Sequence, residues 1–278
     1  MQTGHGTRFR RASAFERLAS RVGRAVPPSM RAALRGGYER ALSQLRPEHM
    51  VCTLPGGERV RLLPSLRQVT WNSDEYDAFR RDVTPGDVVL DVGANLGAYT
   101  LLFAQWVGPS GRVLAFEPAP EPREGLMRLL EANGLSSRVK VVQAAVSDAE
   151  GSAIFRADGV NGGSRLVGRP EAGAVTVPTV TIDAVCSREG VTPRFIKIDA
   201  EGAELDVLRG ARETIAAAGA GLKLYVEMHP HLWTDFGTTR AAIEDELARQ
   251  RLRPQRLDGD PAIWNIEGVC LRLVTCAS

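Results

Sequence analysis

Two short stretches in the second half of the chain concentrate side chains that could move protons or hold a cation. Asp199, Glu201 and Glu204 follow the apolar run Phe195 to Asp199, and Glu227 and His229 close a second run that begins at Leu222. His229 suits a general base, because an unperturbed imidazole titrates near physiological pH. Asp199, Glu201 and Glu227 could orient a cationic group, direct an acceptor, or take a proton in its place. The same three carboxylates with His229 also form a donor set for Mg²⁺ or another divalent metal. No tight ligand spacing demands an ion, so the metal ligands are left unassigned and a metal is not the favoured reading. Each residue also has a plainer use. Asp199 could cap the helix expected to begin near Ala203, or pair with Lys197 on the same strand face. Glu201 and Glu204 sit where a helix N-terminus favours negative charge. His229, which precedes Pro230, could satisfy a backbone carbonyl, and His231 is expected at the surface.

A second constellation lies upstream, in Asp91-Val92-Gly93-Ala94-Asn95-Leu96-Gly97-Ala98-Tyr99-Thr100 directly after the apolar run Val88-Val89-Leu90. Gly93 would let the backbone turn tightly against a ligand, and Gly97 would allow close helix–strand packing. A dinucleotide site would want G-x-G-x-x-G so that a helix N-terminus can face the pyrophosphate. Here Asn95 stands at the middle glycine position and the acidic Asp91 precedes the turn. An acidic residue repels a phosphate but attracts the ammonium of an amino-acid cofactor, which favours S-adenosylmethionine over a dinucleotide. Glu117, in Phe116-Glu117-Pro118, is placed to accept hydrogen bonds from both hydroxyls of a ribose. Ala144-Ala145-Val146 is small and apolar enough to wall an adenine.

The elements that must hold these residues alternate between strand and helix. Strands are expected at Val88 to Leu90, Arg112 to Phe116, Val139 to Val146, Phe195 to Asp199 and Leu222 to Glu227. Helices are expected from Leu96 to Val107, Pro120 to Asn133 and Ala203 to Ala218. Such βα units force right-handed crossovers and a mostly parallel, doubly wound sheet, with ligands beyond the carboxyl ends of its strands. Residues 152–183 interrupt the alternation with two β runs, Ala153 to Arg156 and Val175 to Ile182, around a Gly-rich loop. A helix from Thr238 to Arg251 and strands near Arg253 to Leu257 and Gly268 to Val274 finish the chain. Before the alternation, residues 8–46 read as helix interrupted at Pro27-Pro28, and residues 50–63 as a hairpin turning at Pro55-Gly56-Gly57. The expected division is a helical and β-hairpin extension over residues 1–75, serving as a cap over the ligand face or in oligomerisation, and an α/β Rossmann-like domain over 76–278.

Composition narrows the rest. With 44% hydrophobic and 24% charged residues, the chain is ordinary globular protein. The net charge of +2 speaks against a dedicated nucleic-acid binder, although residues 1–50 hold ten Arg against three Glu. That basic head could meet phosphate, a membrane surface or an acidic carrier, or be a surface helix of an arginine-rich protein. Cys52, Cys186, Cys270 and Cys276 show no C-x-x-C spacing, which suits a reducing cytoplasm better than a disulfide framework or a zinc site. No apolar stretch has the length of a signal peptide or a membrane span. A soluble, cytoplasmic protein is expected.

The segments DVGANLGAYT (91–100), FEPAP (116–120), FIKIDAEGAELDVLRGA (195–211) and VEMHP (226–230) together resemble the FkbM family of methyltransferases. The resemblance covers roughly residues 87–230 and leaves residues 1–75 without a matching motif. It implies a class I methyltransferase fold, S-adenosylmethionine as cofactor, and commonly O-methylation of a sugar or natural product. By it, Asp91, Gly93, Ala94, Asn95, Gly97, Tyr99, Thr100, Glu117, Pro118, Ala145, Val146 and Asp199 would surround the cofactor. His229, Asp199, Glu227 and Glu201 would lie at the reacting centre. The expected partner is a small-molecule acceptor or a peptide. Three rivals stand beside this reading: an N-methyltransferase of a peptide or amine, a catalytically idle cofactor-binding scaffold, and an NAD oxidoreductase.

Overall fold

A computed structural model of the chain describes residues 50–63, 70–156, 174–264 and 268–276, with two further short strands at Arg8–Phe9 and Arg165–Leu166. In chain order the strands are β1 (Arg8–Phe9), β2 (Met50–Thr53), β3 (Arg59–Leu62), β4 (Trp71–Asn72), β5 (Val88–Val92), β6 (Arg112–Phe116), β7 (Val139–Val142), β8 (Ala145–Val146), β9 (Gly151–Arg156), β10 (Arg165–Leu166), β11 (Ala174–Val180), β12 (Phe195–Asp199), β13 (Lys223–Met228), β14 (Leu252–Arg256) and β15 (Val269–Thr275). The α-helices are α1 (Ser73–Asp82), α2 (Ala98–Trp106), α3 (Pro120–Ala132), α4 (Ile182–Glu189), α5 (Glu204–Arg209), α6 (Arg212–Ala218) and α7 (Arg240–Arg249).

The main sheet has seven strands in the order β14-β15-β13-β12-β5-β6-β7. From β13 to β7 all neighbours are parallel, and β15 runs antiparallel between β13 and β14. The short apolar runs produce this because a parallel strand is covered on both faces. Val89 packs into one core with Phe103 and Phe195, while Leu90 and Val92 point into the other with Ile196 and Ile198. Phe79 of α1 ties the first core together, its ring meeting those of Tyr99, Phe103, Phe195 and Tyr225 at 4.9–5.8 Å. Truncating such a ring to alanine costs about 3–5 kcal/mol. Chain order reverses between β5 and β12, so the crevice beyond their carboxyl ends is the place for a ligand.

The expected hairpin is β2–β3, and its foot joins the same core, since Cys52, Leu54, Val60 and Leu62 are buried with Phe79 and Phe103. It does not lie over the carboxyl ends of the strands. Glu58 receives Trp106 Nε1 (2.9 Å), and Asn133 exchanges hydrogen bonds with the Arg61 backbone (both 2.8 Å). Both contacts are at the C-terminal ends of α2 and α3, a helix length away from the glycine loop. The expected division after residue 75 falls inside α1, whose N-cap is Asn72.

Several boundaries differ from expectation. Arg8–Phe9 is not helical but pairs with Trp71–Asn72, and the remaining positions of the expected N-terminal helix lie outside the described residues. Helix α1 had no apolar stripe long enough to announce it; Asn72 caps it by accepting from Asp74 N at 2.9 Å. The third strand stops at Val142, and Ala145–Val146 belongs to a second sheet of order β10-β9-β11-β8. Strand β11 ends at Val180 because Thr181 caps α4, accepting from Ala184 N at 3.0 Å. The expected helix to Ala218 breaks at Gly210, where a Cβ would stand 2.1 Å from the Ser147 carbonyl. Among the described residues no helix is long and apolar enough to cross a membrane.

Candidate active site

The loop between β5 and α2 closes on Glu117. Asn95 N donates to Glu117 Oε2 and Ala119 N to Oε1, each at 2.8 Å, while Gly93 N and Ala94 N both reach the Phe116 carbonyl. Glu117 is buried, and burial lifts its carboxyl to about 7 against the two backbone donors, which lower it. Asn95 takes a left-handed φ of 48°, and its buried Oδ1 has no hydrogen-bond partner among the described residues. Gly93, at φ 75°, is required for a reason the sequence did not show: a Cβ there would lie 1.9 Å from the Asp199 carbonyl. The close neighbour is the end of β12. Gly97 likewise admits Leu126 of α3 rather than a strand, its Cβ position being 2.4 Å from Leu126 Cδ1.

Asp91 is fully enclosed and already faces an ammonium, that of Lys197. The register of β5 and β12 sets Asp91 opposite Lys197, with Oδ1 and Nζ 3.9 Å apart. Thr100 Oγ1 donates to Asp91 Oδ2 at 2.5 Å. Lys197 Nζ also contacts Asp199 Oδ2 at 3.2 Å, the pair expected from the sequence, and lies 5.6 Å from the Tyr99 ring centroid. Burial pushes the Asp91 carboxyl up, opposed by Lys197 and Thr100; burial pulls Lys197 down, but Asp199, Asp91 and Glu227 hold it above the ordinary lysine range. The charge argument that set Asp91 beside a cofactor's ammonium is therefore corrected, because the protein supplies that cation itself. The hydroxyls of Thr100 and Tyr99 are likewise engaged within the protein, the latter accepting from Asn72 N at 3.2 Å.

Beside Lys197, the ends of β12 and β13 bring the second constellation together, with Asp199 in register with Glu227. His229 is buried, and Nδ1 hydrogen-bonds Glu204 Oε1 at 2.8 Å. Glu204 is also fully enclosed, receiving Gly202 N at 2.9 Å and Trp233 Nε1 at 2.8 Å. The other imidazole nitrogen, Nε2, faces Glu201 Oε2 and Glu227 Oε1 at 3.8 Å and Asp199 Oδ1 at 3.9 Å. Burial lowers the imidazole, but the Glu204 hydrogen bond and the charges of Asp199, Glu204 and Glu201 outweigh it and raise His229 to about 10. The expectation of an unperturbed imidazole is thus overturned, and the expected backbone-carbonyl partner is replaced by Glu204. Burial raises Glu201 to about 7 despite the nearby His229, and burial beside Asp199 and Glu75 lifts Glu227 well above the usual carboxylate range.

The two constellations are contiguous through Gly93 and Asp199. Pro118 is half-buried next to Glu117, and its carbonyl accepts from Arg123 Nη1 at 2.9 Å. Ala145 packs with Ala119 just behind Glu117, whereas Val146 points into the core with Leu114 and Phe116. Sequence reasoning missed Trp233 and the use of Glu204 as the group that fixes His229. The spacing of 25 residues between Glu204 and His229 gives no local signal. Only the pairing of β12 with β13 brings them together.

A family model described as the methyltransferase FkbM domain matches residues 91–252, more than half of the chain. Among curated proteins, the 31-O-demethyl-FK506 methyltransferase FkbM of Streptomyces tacrolimicus is 32% identical over 166 residues, covering 48% of this chain and 62% of that protein. The 2-O-methyltransferase NoeI of Sinorhizobium fredii is 28% identical over 149 residues, covering 47% and 60% respectively. The matches thus span about three-fifths of the length of these relatives. Among solved structures, Aeropyrum pernix fibrillarin in complex with natively bound S-adenosyl-L-methionine aligns with a TM-score of 0.45 at 13% identity, over 81% of this chain and 93% of that one. With the matched region running from Asp91 through Glu117, Asp199 and His229 to Leu252, the chain belongs to the FkbM methyltransferase domain family.

Proposed function

We propose that the protein is an S-adenosylmethionine-dependent methyltransferase that acts on a hydroxyl of a small sugar-like or secondary-metabolite acceptor. One observation carries the reading: the Gly93 loop lies directly against the Asp199 carbonyl, which joins a cofactor-type loop to the carboxylate–imidazole cluster. The loop suits the cofactor in its chemistry. Asn95 Oδ1 is a buried acceptor without a hydrogen-bond partner among the described residues, and Glu117 keeps lone pairs beyond its two backbone bonds, as hydroxyl donors require. Glu117 would hold the ribose, Asn95 and the backbone of Gly93 and Ala94 would line the cofactor, and Ala145 would back the base. When bound, S-adenosylmethionine supplies a methyl group whose bond to sulfur breaks, the electron pair going to sulfur, as the acceptor oxygen bonds to carbon.

The chain's own residues orient the acceptor and receive its proton. A hydroxyl is a poor nucleophile at neutral pH and needs a base or a cation, whereas a neutral amine does not. A cluster of Asp199, Glu201 and Glu227 around a buried imidazole is machinery for the harder case, which favours oxygen over nitrogen. The relatives that carry O-methyltransferase names agree with this reading. The test is transfer of a labelled methyl group from S-adenosylmethionine to panels of hydroxylated and amine acceptors. Labelling of a sugar or polyol hydroxyl supports the proposal. Transfer confined to amines overturns the acceptor class, and cofactor binding without transfer to any acceptor leaves the scaffold rival standing.

A further inference from the structure

We infer that Asp199, Glu201 and His229 form a divalent-cation site of the Mn²⁺ type at the reacting end of the cleft. The inference builds on the proposed methyl transfer to a hydroxyl. One ligand atom from each of the three residues lies within 4.8 Å of the others. The separations from His229 Nε2 are 3.9 Å to Asp199 Oδ1 and 3.8 Å to Glu201 Oε2. Donors spaced in this way subtend roughly 120° around an ion bonded at about 2.2 Å, within the range for oxygen and nitrogen ligands of divalent metals. Glu227 Oε1, also 3.8 Å from Nε2, borders the same point.

The arrangement of His229 is the second, independent observation. Its ring is more than nine-tenths buried, and Nε2 is aimed at the carboxylates of Asp199, Glu201 and Glu227, at 3.8–3.9 Å from each. Its other nitrogen is tied to Glu204, itself held by Gly202 N and Trp233 Nε1. A buried carboxylate on Nδ1 that leaves Nε2 directed at oxygen donors is the usual support for a metal-bound imidazole, because it fixes the Nδ1 proton and the ring angle; an entering ion displaces the proton on Nε2. Carboxylate oxygens with a single imidazole suit Mn²⁺ or Mg²⁺ better than the thiolate-preferring metals. Four carboxylates (Asp199, Glu201, Glu204, Glu227) crowd one imidazole and Lys197, so a divalent ion also relieves their mutual repulsion. A cation here would lower the pKa of an acceptor hydroxyl that reached it, the requirement that distinguishes hydroxyl from amine methylation.

The test is titration of Mn²⁺ alone into the full chain, followed by electron paramagnetic resonance and calorimetry, with S-adenosylhomocysteine titrated separately. One saturable Mn²⁺ per chain is expected. Glu201→Gln and Asp199→Asn should each weaken it tenfold or more, and Glu204→Gln by about 10–100-fold through loss of imidazole orientation. Thermal unfolding identifies any variant that has not folded; the partly exposed Glu201 is the substitution that best preserves the fold. Absence of saturable Mn²⁺ binding overturns the cation site, as does binding unchanged in folded Glu201→Gln and Asp199→Asn. Normal S-adenosylhomocysteine affinity in the same preparation shows that the methyltransferase reading survives that failure. Loss of S-adenosylhomocysteine binding with intact Mn²⁺ binding would mark the reverse.

Discussion

Replacing Glu117 with Gln separates the ribose role of this carboxylate from its structural one. The side chain is buried, accepts from Asn95 N and Ala119 N at 2.8 Å, and is lifted by burial from 4.5 to about 7. Because the folded-state value lies above the unfolded one, its contribution to stability is greatest below about pH 4.5 and is lost as pH rises through about 7. At 1.36 kcal/mol per unit, the loss amounts to about 3 kcal/mol. Gln does not titrate. It also offers one acceptor oxygen where two backbone donors converge, a deficit of about 1–3 kcal/mol. The variant should therefore be less stable than wild type at pH 5, with the gap closing or reversing by pH 8. Urea unfolding at several pH values measures this directly. At pH 8 the variant should bind S-adenosylhomocysteine on the order of tenfold to a hundredfold more weakly, since the charge that strengthens two ribose hydrogen bonds is gone. Parallel pH–stability curves would refute the burial argument, and unchanged affinity would remove Glu117 from the ribose site.

Four further outcomes follow from the packing. Gly93→Ala should destabilise the fold by at least about 3 kcal/mol, because the new Cβ meets a backbone carbonyl and the φ is positive. Gly134→Ala, with a positive φ but nothing within 4 Å, should cost only about 1–2 kcal/mol in the same thermal melts. Asp91→Asn should cost on the order of 2 kcal/mol, and a double-mutant cycle with Lys197→Met should show coupling above about 0.5 kcal/mol; additive losses would mean that the 3.9 Å pair carries no energy. Glu58→Ala strips acceptors from Tyr76, Arg80 and Trp106 and should cost about 2–4 kcal/mol while leaving S-adenosylhomocysteine affinity unchanged. A fall in that affinity would place the hairpin in communication with the ligand face.

The main sheet was legible because its strands are short apolar runs followed by glycine turns, and because βα units with right-handed crossovers make neighbouring strands parallel. The same reading put Asp199 and Glu227 at the carboxyl ends of two strands, and the β12–β13 register sets them side by side. What stayed hidden was set by tertiary contacts. The glycine at 93 reads as a ligand-facing turn, yet the atom that excludes a side chain is the Asp199 carbonyl, more than a hundred residues away in sequence. Asp91 reads as a lone charge until the β5–β12 register sets Lys197 across from it. The imidazole of His229 looks unperturbed in sequence, and only the enclosure of Glu204 with Trp233 shows how it is fixed and why its proton is held. Helices α1 and α4 were missed since their caps, Asn72 and Thr181, are single polar residues at the ends of strands.

The central claim is that the loop from Asp91 to Gly97, closed on Glu117, binds S-adenosylmethionine. Calorimetric titration of the full chain with S-adenosylhomocysteine and, separately, with NAD⁺ tests it most directly. One S-adenosylhomocysteine per chain with no heat from NAD⁺ is the predicted result. NAD⁺ binding in a folded protein that ignores S-adenosylhomocysteine would contradict the account.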